Sequence, residues 1–203
     1  MTDSLPLDRM QIEPLAPISD DMLQRLNQPG SQSVFLVGMM GAGKTTIGRQ
    51  LAKTLDRQFV DLDHELEARC GVRVSVIFDI EGEEGFRKRE TATLDACSRQ
   101  GGIVLATGGG AVLAPENREF LTQRGVVVYL RASVDELYRR VARDKNRPLL
   151  QTENPRQRLA DLLAHREPLY EEVADIIFDT GSAPISSALR DLLALLKEKK
   201  VIE

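Results

Sequence analysis

The sequence has few cysteines and no long apolar run, and we expect no secretory signal. Its two cysteines, Cys70 and Cys97, form no CxxC pair and have no histidine cluster nearby. We therefore expect no disulfide framework, no zinc site and a reducing, cytoplasmic location. No run of about 18 apolar residues occurs, so no membrane-spanning helix is predicted. The N-terminal stretch carries Asp3 and Asp8 without an apolar core segment, which does not fit a secretory signal.

Positive charge is also scarce. The chain has 27 Lys and Arg residues against 31 Asp and Glu residues, for a formal net charge of −4. This balance argues against a broad electropositive surface for nucleic acid, although it allows a local basic pocket for a small anion. The 203 residues, 42% of them hydrophobic and 29% charged, suffice for one soluble α/β domain with a substantial core.

The first 32 residues differ from the rest of the chain. They contain four prolines and no sustained periodicity, which predicts a poorly ordered N-terminal extension with one short helix over residues 19–26. From residue 33 to residue 203 we expect a single domain.

Short apolar strands alternate with amphipathic helices in that domain. Strands are predicted at residues 34–37, 58–62, 103–106, 126–130 and 176–178, and helices include residues 44–55, 63–69 and 155–166. Ser133 with Glu136 fits a capping box, and Asn154 before a proline fits a second helix start. This alternation predicts a parallel sheet with helices on both faces.

Residues 38–45, GMMGAGKT, match the phosphate-loop pattern G-x-x-x-x-G-K-[ST] between a strand and a helix. Glycine lets the backbone wrap a phosphate, and amides at the helix start supply partial positive charge. Lys44 would reach the β- and γ-phosphates, and the Thr45 hydroxyl would bind Mg²⁺. The predicted nucleotide-binding residues are Gly41, Ala42, Gly43, Lys44, Thr45 and Thr46. The alternative is a glycine-rich turn without a ligand.

Two aspartates end the second predicted strand. Asp61 and Asp63 are two residues apart, so on an extended chain both would point the same way, beside the phosphate loop. One carboxylate could hold the magnesium of a nucleotide, and the other could orient an acceptor hydroxyl and take its proton. The alternative is that Asp63 only caps the helix over residues 63–69.

Five further motifs follow the phosphate loop in order: VDLDHELE, EGFRKRE, LATGGGAV, NRPLL and HREPLYEEVAD. Together, over residues 33–179, they resemble the shikimate kinase family. The resemblance implies a three-layer α/β/α P-loop kinase fold with a five-stranded parallel sheet in the order 2-3-1-4-5 and a mobile lid over about residues 143–155. It implies Mg²⁺-dependent transfer of the γ-phosphoryl group of ATP to the 3-hydroxyl of shikimate, on the route to chorismate and the aromatic amino acids. We expect a monomer that binds these small molecules.

The resemblance also implies an acceptor site. Arg87 and Arg166 match the family positions that clamp the shikimate carboxylate, a task suited to the planar guanidinium. Asp63 matches the aspartate that binds a substrate hydroxyl and serves as base. Gly109 and Gly110 would contact the substrate through their backbone.

The catalytic set implied by the resemblance is Asp63, Lys44 and Arg147, the last being the lid arginine that closes onto the ATP phosphates. Thr45 and Asp61 are assigned to Mg²⁺. Glu90, three residues after Arg87 on the same helical face, would orient its guanidinium.

Each assignment has a simpler alternative. By composition Arg87 belongs to a solvated helix face, Arg166 could bind carbonyls at a helix end, and the triple glycine could be a flexible turn. We assign no catalytic role to His64 or His165. The stretch over residues 180–184 lacks the basic residues that some family members place around adenine.

Two other functions fit parts of the sequence. One is a related kinase that acts on gluconate or a nucleoside monophosphate, although paired arginines with a triple glycine favour a carboxylate acceptor. The other is a regulatory protein that senses a ligand with a kinase-like domain, and turnover of ATP on addition of shikimate would distinguish it from a kinase.

Overall fold

The computed structural model describes residues 32–142, 152–181 and 184–202. Five parallel strands form one sheet in the order β2-β3-β1-β4-β5, which confirms the predicted order. The strands are β1 (Val34–Val37), β2 (Gln58–Asp61), β3 (Ile103–Ala106), β4 (Val126–Arg131) and β5 (Ile176–Asp179).

Helices cover both faces of the sheet and complete the three-layer α/β/α fold. They are α1 (Lys44–Thr54), α2 (Leu62–Cys70), α3 (Val74–Ser98), α4 (Pro115–Arg124), α5 (Val134–Val141), α6 (Pro155–Val173) and α7 (Ile185–Glu198), with a short 3₁₀ helix over Ala111–Leu113. Helix α1 packs against α7, and α4 packs against both α3 and α6. None of these helices is long and apolar enough to span a membrane.

The central strand β1 positions the phosphate loop. All four of its side chains are completely buried, as expected for an apolar strand covered on both faces. It pairs with β3 through Val34 and Val104 and with β4 through Val34 and Val126. The loop that follows β1 therefore leaves the sheet at the middle of its carboxyl edge, where open α/β sheets bind ligands.

The predicted helix starts are confirmed. Ser133 and Glu136 form a reciprocal capping box at α5, and the Asn154 side chain accepts a hydrogen bond from the Gln157 amide at α6. Both caps satisfy amides that have no partner within their helix.

Several element boundaries differ from the predicted ones, and two of the differences bear on the site. Strand β2 ends at Asp61 rather than residue 62, and Asp61 caps α2 by accepting from the His64 amide at 3.4 Å. Asp63 therefore lies in the first turn of α2, and both the shared strand direction and the capping role suggested for it are wrong. Helix α6 continues past residue 166 and through Pro168 to Val173, because Tyr170 and Val173 are buried in the core.

Several predictions fall outside the part of the chain that the structure describes. Of the predicted extension over residues 1–32, the structure describes only residue 32. Of the predicted lid over residues 143–155, it describes only residues 152–155. Arg147 belongs to this group.

Candidate functional site

A cleft of about 500 Å³ opens at the carboxyl edge of the sheet. Nine of the predicted site residues line it: Gly41, Ala42, Gly43, Lys44, Thr45, Thr46, Asp61, Asp63 and Gly109. The structure thus brings together the phosphate loop, both aspartates and the loop after β3. The remaining lining residues are Met40, Ile47, Thr107, Arg139, Arg140, Thr180, Ile185 and Ala188.

The phosphate loop has the backbone that the motif predicts. Gly41 and Gly43 have φ angles of 83° and 97°, in the region that favours glycine. Lys44 is the first residue of α1 and is only 9% exposed. Its ammonium group donates to the Gly38 carbonyl at 2.7 Å and to the Met39 carbonyl at 2.9 Å. A positive charge is therefore held against the loop, next to the positive end of a helix.

The Thr45 hydroxyl and the Asp61 carboxylate lie together beside this loop. The Thr45 hydroxyl donates to Asp61 Oδ2 at 2.8 Å, which joins the first turn of α1 to the end of β2. No group of three or more His, Cys, Asp or Glu side chains in the described ranges could hold a metal ion. A hydroxyl and one carboxylate suit Mg²⁺, which usually takes one or two protein ligands together with substrate phosphates and water.

Asp63 lies across the cleft, near the triple glycine. A Cβ atom placed on Gly108 would lie 3.1 Å from Asp63 Oδ1 and 2.7 Å from Glu90 Oε1. Two carboxyl groups therefore approach the same glycine from different helices, and any side chain at this position would displace them. Gly108 is thus a point of close contact, and the alternative of an ordinary flexible turn is wrong.

Arg87 and Glu90 form a largely buried ion pair on α3. Arg87 Nη1 donates to Glu90 Oε2 at 2.6 Å, which confirms that Glu90 orients this guanidinium. Arg87 also donates to Glu83 at 3.1 Å. Its side chain is 19% exposed, so it does not lie on a solvated helix face. A Cβ atom on Gly110 would overlap the guanidinium, and Gly110 therefore leaves the space that Arg87 occupies.

Glu90 is 1% exposed. Burial raises the pKa of this carboxyl, the charge of Arg87 opposes that rise, and the nearby Asp63 adds to it. In the described part of the chain Glu90 Oε1 has no hydrogen-bond partner. A buried carboxylate with one oxygen unbonded is costly, so this group indicates a functional position rather than a stabilising one.

Arg166 lies inside α6 and not at its end, so the alternative of a helix-end contact is wrong. The side chain is 4% exposed, and Nη1 donates to the Gly109 carbonyl at 3.3 Å. Its Nε has no hydrogen-bond partner among the described residues. Arg166 therefore contacts Gly109 and the Arg87 guanidinium lies against Gly110, but neither arginine is among the residues that line the cleft.

Sequence reasoning missed Arg140. From α5 it donates to the carbonyls of Gly41 and Gly181 and to the Thr180 hydroxyl, the bonds to Gly41 and Thr180 being 3.1 Å long. It thus ties the phosphate loop to the turn after β5. In the sequence Arg140 looks like an ordinary basic residue in the last turn of a helix, so no local signal marks it.

Comparisons with known proteins agree with this site. A family model for shikimate kinase matches residues 40–197. The shikimate kinase of Bordetella avium is 60% identical over 192 residues, which cover 94% of this chain and 87% of that protein. The shikimate kinase of Bordetella pertussis is 59% identical over 200 residues, covering 98% of this chain and 94% of that protein. That alignment must include most of residues 1–32.

A solved structure is also similar. Shikimate kinase from Acinetobacter baumannii in complex with shikimate gives a TM-score of 0.82 at 49% sequence identity, covering 85% of this chain and 97% of that chain.

Proposed function

This chain belongs to the shikimate kinase family, and we propose that it transfers the γ-phosphoryl group of ATP to the 3-hydroxyl of shikimate. The products are shikimate 3-phosphate and ADP. The reaction belongs to the shikimate pathway, which leads to chorismate and the aromatic amino acids.

One observation carries the proposal. Buried Arg166, partly buried Arg87 and an aspartate surround the triple glycine, and Asp63 and Gly109 line the same cleft as the phosphate loop. A small acceptor with a carboxylate and several hydroxyls matches this arrangement, because guanidinium groups bind carboxylates and a carboxylate side chain accepts from hydroxyls.

On the donor side, the amides of Gly41, Ala42 and Gly43 and the start of α1 would bind the ATP phosphates. Thr46 lines the same wall of the cleft. The Lys44 ammonium, now on two loop carbonyls, would turn toward the β- and γ-phosphates and neutralise the charge that develops on the transferred group.

Thr45 and Asp61 would hold Mg²⁺. Their oxygens are already hydrogen-bonded at 2.8 Å, and hard oxygen ligands of this kind suit the ion. When bound, Mg²⁺ would supply positive charge that offsets the negative charge of the ATP phosphates.

On the acceptor side, Arg87 and Arg166 would bind the shikimate carboxylate, with the backbone of Gly109 and Gly110 against the ring. Asp63 would accept a hydrogen bond from the 3-hydroxyl and so direct that oxygen at the γ-phosphorus. Buried Glu90 would keep Arg87 oriented. The ion pair between Arg87 and the more exposed Glu83 would break, and the shikimate carboxylate would take the place of Glu83.

The transfer step follows from these positions. The 3-hydroxyl oxygen of shikimate forms a bond to the γ-phosphorus as the bond from that phosphorus to the β–γ bridging oxygen breaks. Asp63 takes the hydroxyl proton, and Lys44 and Arg147 balance the charge on the phosphoryl oxygens. No covalent enzyme intermediate is needed, and closure of the lid over residues 143–155 would exclude water.

We also propose that the protein is a cytoplasmic monomer that acts without nucleic-acid or membrane partners. Both cysteines are free thiols in the structure, as a reducing compartment favours. Light scattering of the purified full chain measures the molecular mass directly, and a mass of about twice the monomer's would contradict this part of the proposal.

A coupled assay for ADP release tests the proposed reaction. We expect turnover with shikimate and Mg²⁺, and background rates with gluconate or a nucleoside monophosphate. Activity with one of those acceptors and none with shikimate would exclude the proposed substrate. Tight binding of both ATP and shikimate without turnover would instead identify a sensor.

A further inference from the structure

The Tyr170 hydroxyl lies where three parts of the site meet. It donates to the Gly109 carbonyl at 2.5 Å, and the Met39 sulfur lies 3.4 Å from it. Met39 belongs to the phosphate loop, and Tyr170 lies one turn after Arg166 on α6. The side chain is completely buried. One hydroxyl therefore joins the phosphate loop, the glycine loop after β3 and α6, the helix that carries Arg166.

This hydroxyl is a permanent hydrogen-bond donor. Burial raises the pKa of Tyr170 above its ordinary value, although the charge and hydrogen bond of Arg166 oppose this rise. A tyrosine hydroxyl has one proton, and the distances assign it to Gly109 rather than to the weakly accepting sulfur of Met39.

The Gly109 carbonyl receives two donors from the same helix. Tyr170 is the nearer of them, at 2.5 Å, and Arg166 Nη1 is at 3.3 Å. On the other side, a Cβ atom on Gly109 would lie 3.4 Å from the Met40 amide nitrogen and 3.6 Å from the Gly38 carbonyl oxygen. The Gly109 peptide thus lies between the phosphate loop and α6, and the hydrogen bond from the Tyr170 hydroxyl sets its distance from α6.

The consequence concerns Arg166. A guanidinium has five N–H donors in a fixed plane. Here Nη1 donates to the Gly109 carbonyl, the guanidinium also contacts the Tyr170 hydroxyl, and Nε has no partner among the described residues. If the hydroxyl were absent, Arg166 would be the sole side-chain donor to this carbonyl and would move toward it. With the hydroxyl present, the carbonyl is satisfied, and the Nε–H group of Arg166 stays available to an anion.

We propose that Tyr170 is a positioning residue for the acceptor: by donating to the Gly109 carbonyl, it fixes the peptide against which Arg166 is aligned to bind the shikimate carboxylate. This inference rests on the proposed function, in which Arg166 binds that carboxylate. Tyr170 itself does not touch substrate and acts only through Gly109 and Arg166.

A matched pair of variants tests it. Tyr170→Phe removes the hydroxyl and keeps the ring, and Tyr129→Phe does the same for a buried tyrosine stacked on Tyr170 with a centroid distance of 5.0 Å. The Tyr129 hydroxyl donates to Glu167 at 3.4 Å, away from the cleft. We expect Tyr170→Phe to raise KM for shikimate about tenfold, as for one lost hydrogen bond, with KM for ATP within about twofold. Tyr129→Phe should change neither constant.

A purely structural role gives a different result. Loss of folded protein lowers the apparent kcat and leaves both KM values unchanged, since KM reports on the folded molecules. The proposal is overturned if KM for shikimate stays within about twofold of wild type, if both KM values rise together, or if Tyr129→Phe has the same effect. A Tyr170→Phe chain that does not fold, beside a folded Tyr129→Phe chain, also overturns it, because the hydroxyl would then be a determinant of the fold.

A double-mutant cycle tests the route through Arg166. Adding Tyr170→Phe to Arg166→Lys should raise KM for shikimate by less than about twofold, because the residue through which Tyr170 acts is already altered. A further tenfold rise would show that Tyr170 acts independently and would overturn the proposal. Wild-type turnover with shikimate is measured first, so failure of the proposed reaction would be seen before any variant is compared.

Discussion

The donor half of the cleft comes from one short stretch of chain, whereas the acceptor half is assembled from separate elements. Phosphate-loop residues 38–45 are contiguous, and Lys44 bonds to Gly38 and Met39 within the same loop. The acceptor half combines α2, α3, the loop after β3 and α6, with Asp63, Arg87 and Arg166 each from a different helix. A contiguous motif therefore specifies how phosphate is held, and long-range packing specifies what receives it.

The two halves also differ in how their charges are held. Lys44 donates to two backbone carbonyls of its own loop. Arg87 and Glu90 are largely buried and paired with each other at 2.6 Å, so their positions are fixed before substrate binds. A buried pair costs desolvation, and this cost is consistent with a site whose task is orientation. The comparison predicts that donor-side changes lower kcat and that changes to the acceptor arginines raise KM for shikimate.

The largest effect is expected for Lys44→Ala. The ammonium would neutralise charge on the transferred phosphoryl group, so kcat should fall about 1000-fold or more. The fold should stay intact, because the rest of the loop and its glycine conformations are unchanged. Steady-state kinetics and circular dichroism check this, with Lys53→Ala in the exposed last turn of the same helix as control. Near-normal kcat in Lys44→Ala would show that this lysine serves the loop structure only.

The next effect is expected for Asp63→Asn. The amide keeps the shape of the side chain but cannot take the hydroxyl proton, so kcat should fall about 100-fold or more, while shikimate still binds. Single-turnover kinetics with excess enzyme measure the chemical step directly. Glu65→Gln, on the same helix and paired with Arg69, is the control. A large rise in KM with kcat unchanged would assign Asp63 to binding alone.

These two residues show why the sequence predicts the donor half better. The spacing in GMMGAGKT corresponds directly to loop geometry, and Gly41 and Gly43 have the expected positive φ angles. Asp63 was placed on a strand by its alternation with Asp61, but the helix begins one residue earlier because Asp61 caps it. Local spacing cannot reveal where a strand gives way to a helix when the same side chain suits both.

The acceptor half was predicted through motif resemblance, and its supporting residues were mostly missed. Arg87 and Glu90 were paired correctly because three-residue spacing on a helix implies contact. Tyr170 bonds to Gly109, which lies 61 positions earlier in the chain, and Arg140 bonds to Gly41, which lies 99 positions earlier. No sequence period encodes such contacts, and only the packing of α5 and α6 against the loops creates them.

Arg87→Ala should raise KM for shikimate about 100-fold and leave KM for ATP little changed, because a charge-assisted contact to the carboxylate is lost. The control is Arg89→Ala on the same helix, where the guanidinium is paired with Glu81 at 2.6 Å, and it should leave both constants near wild type. An equal loss of ATP affinity in Arg87→Ala would contradict the division of the cleft into two halves.

Glu90→Gln should alter how stability depends on pH. Because burial raises the pKa of Glu90 above its ordinary value of 4.5, the folded state binds the proton more tightly than the unfolded state. Stability is then undiminished below pH 4.5 and falls as pH rises through the raised pKa, by about 1.4 kcal/mol per unit of elevation. Urea unfolding of both proteins across this range should show the fall in wild type only.

The control for that experiment is Glu84→Gln. The pKa of exposed Glu84 is lowered by its hydrogen bond with Lys88, so its removal should not abolish the fall. The opposite result would be a wild-type protein that becomes more stable than Glu90→Gln as the pH rises. It would mean that the folded protein stabilises the Glu90 anion, because the ion pair with Arg87 outweighs the cost of burial.

The smallest effect is expected for Glu83→Gln. Glu83 contacts Arg87 at 3.1 Å, but its side chain is 62% exposed, and exposed pairs contribute about 0.2–1 kcal/mol. Shikimate must exchange with this contact, so its removal should lower KM for shikimate about twofold and leave kcat unchanged. Glu84→Gln, whose partner Lys88 is 76% exposed, should have no effect. A rise in KM would instead mean that Glu83 helps to hold Arg87 in its binding position, so that both carboxylates on α3, and not the buried Glu90 alone, would orient the acceptor half.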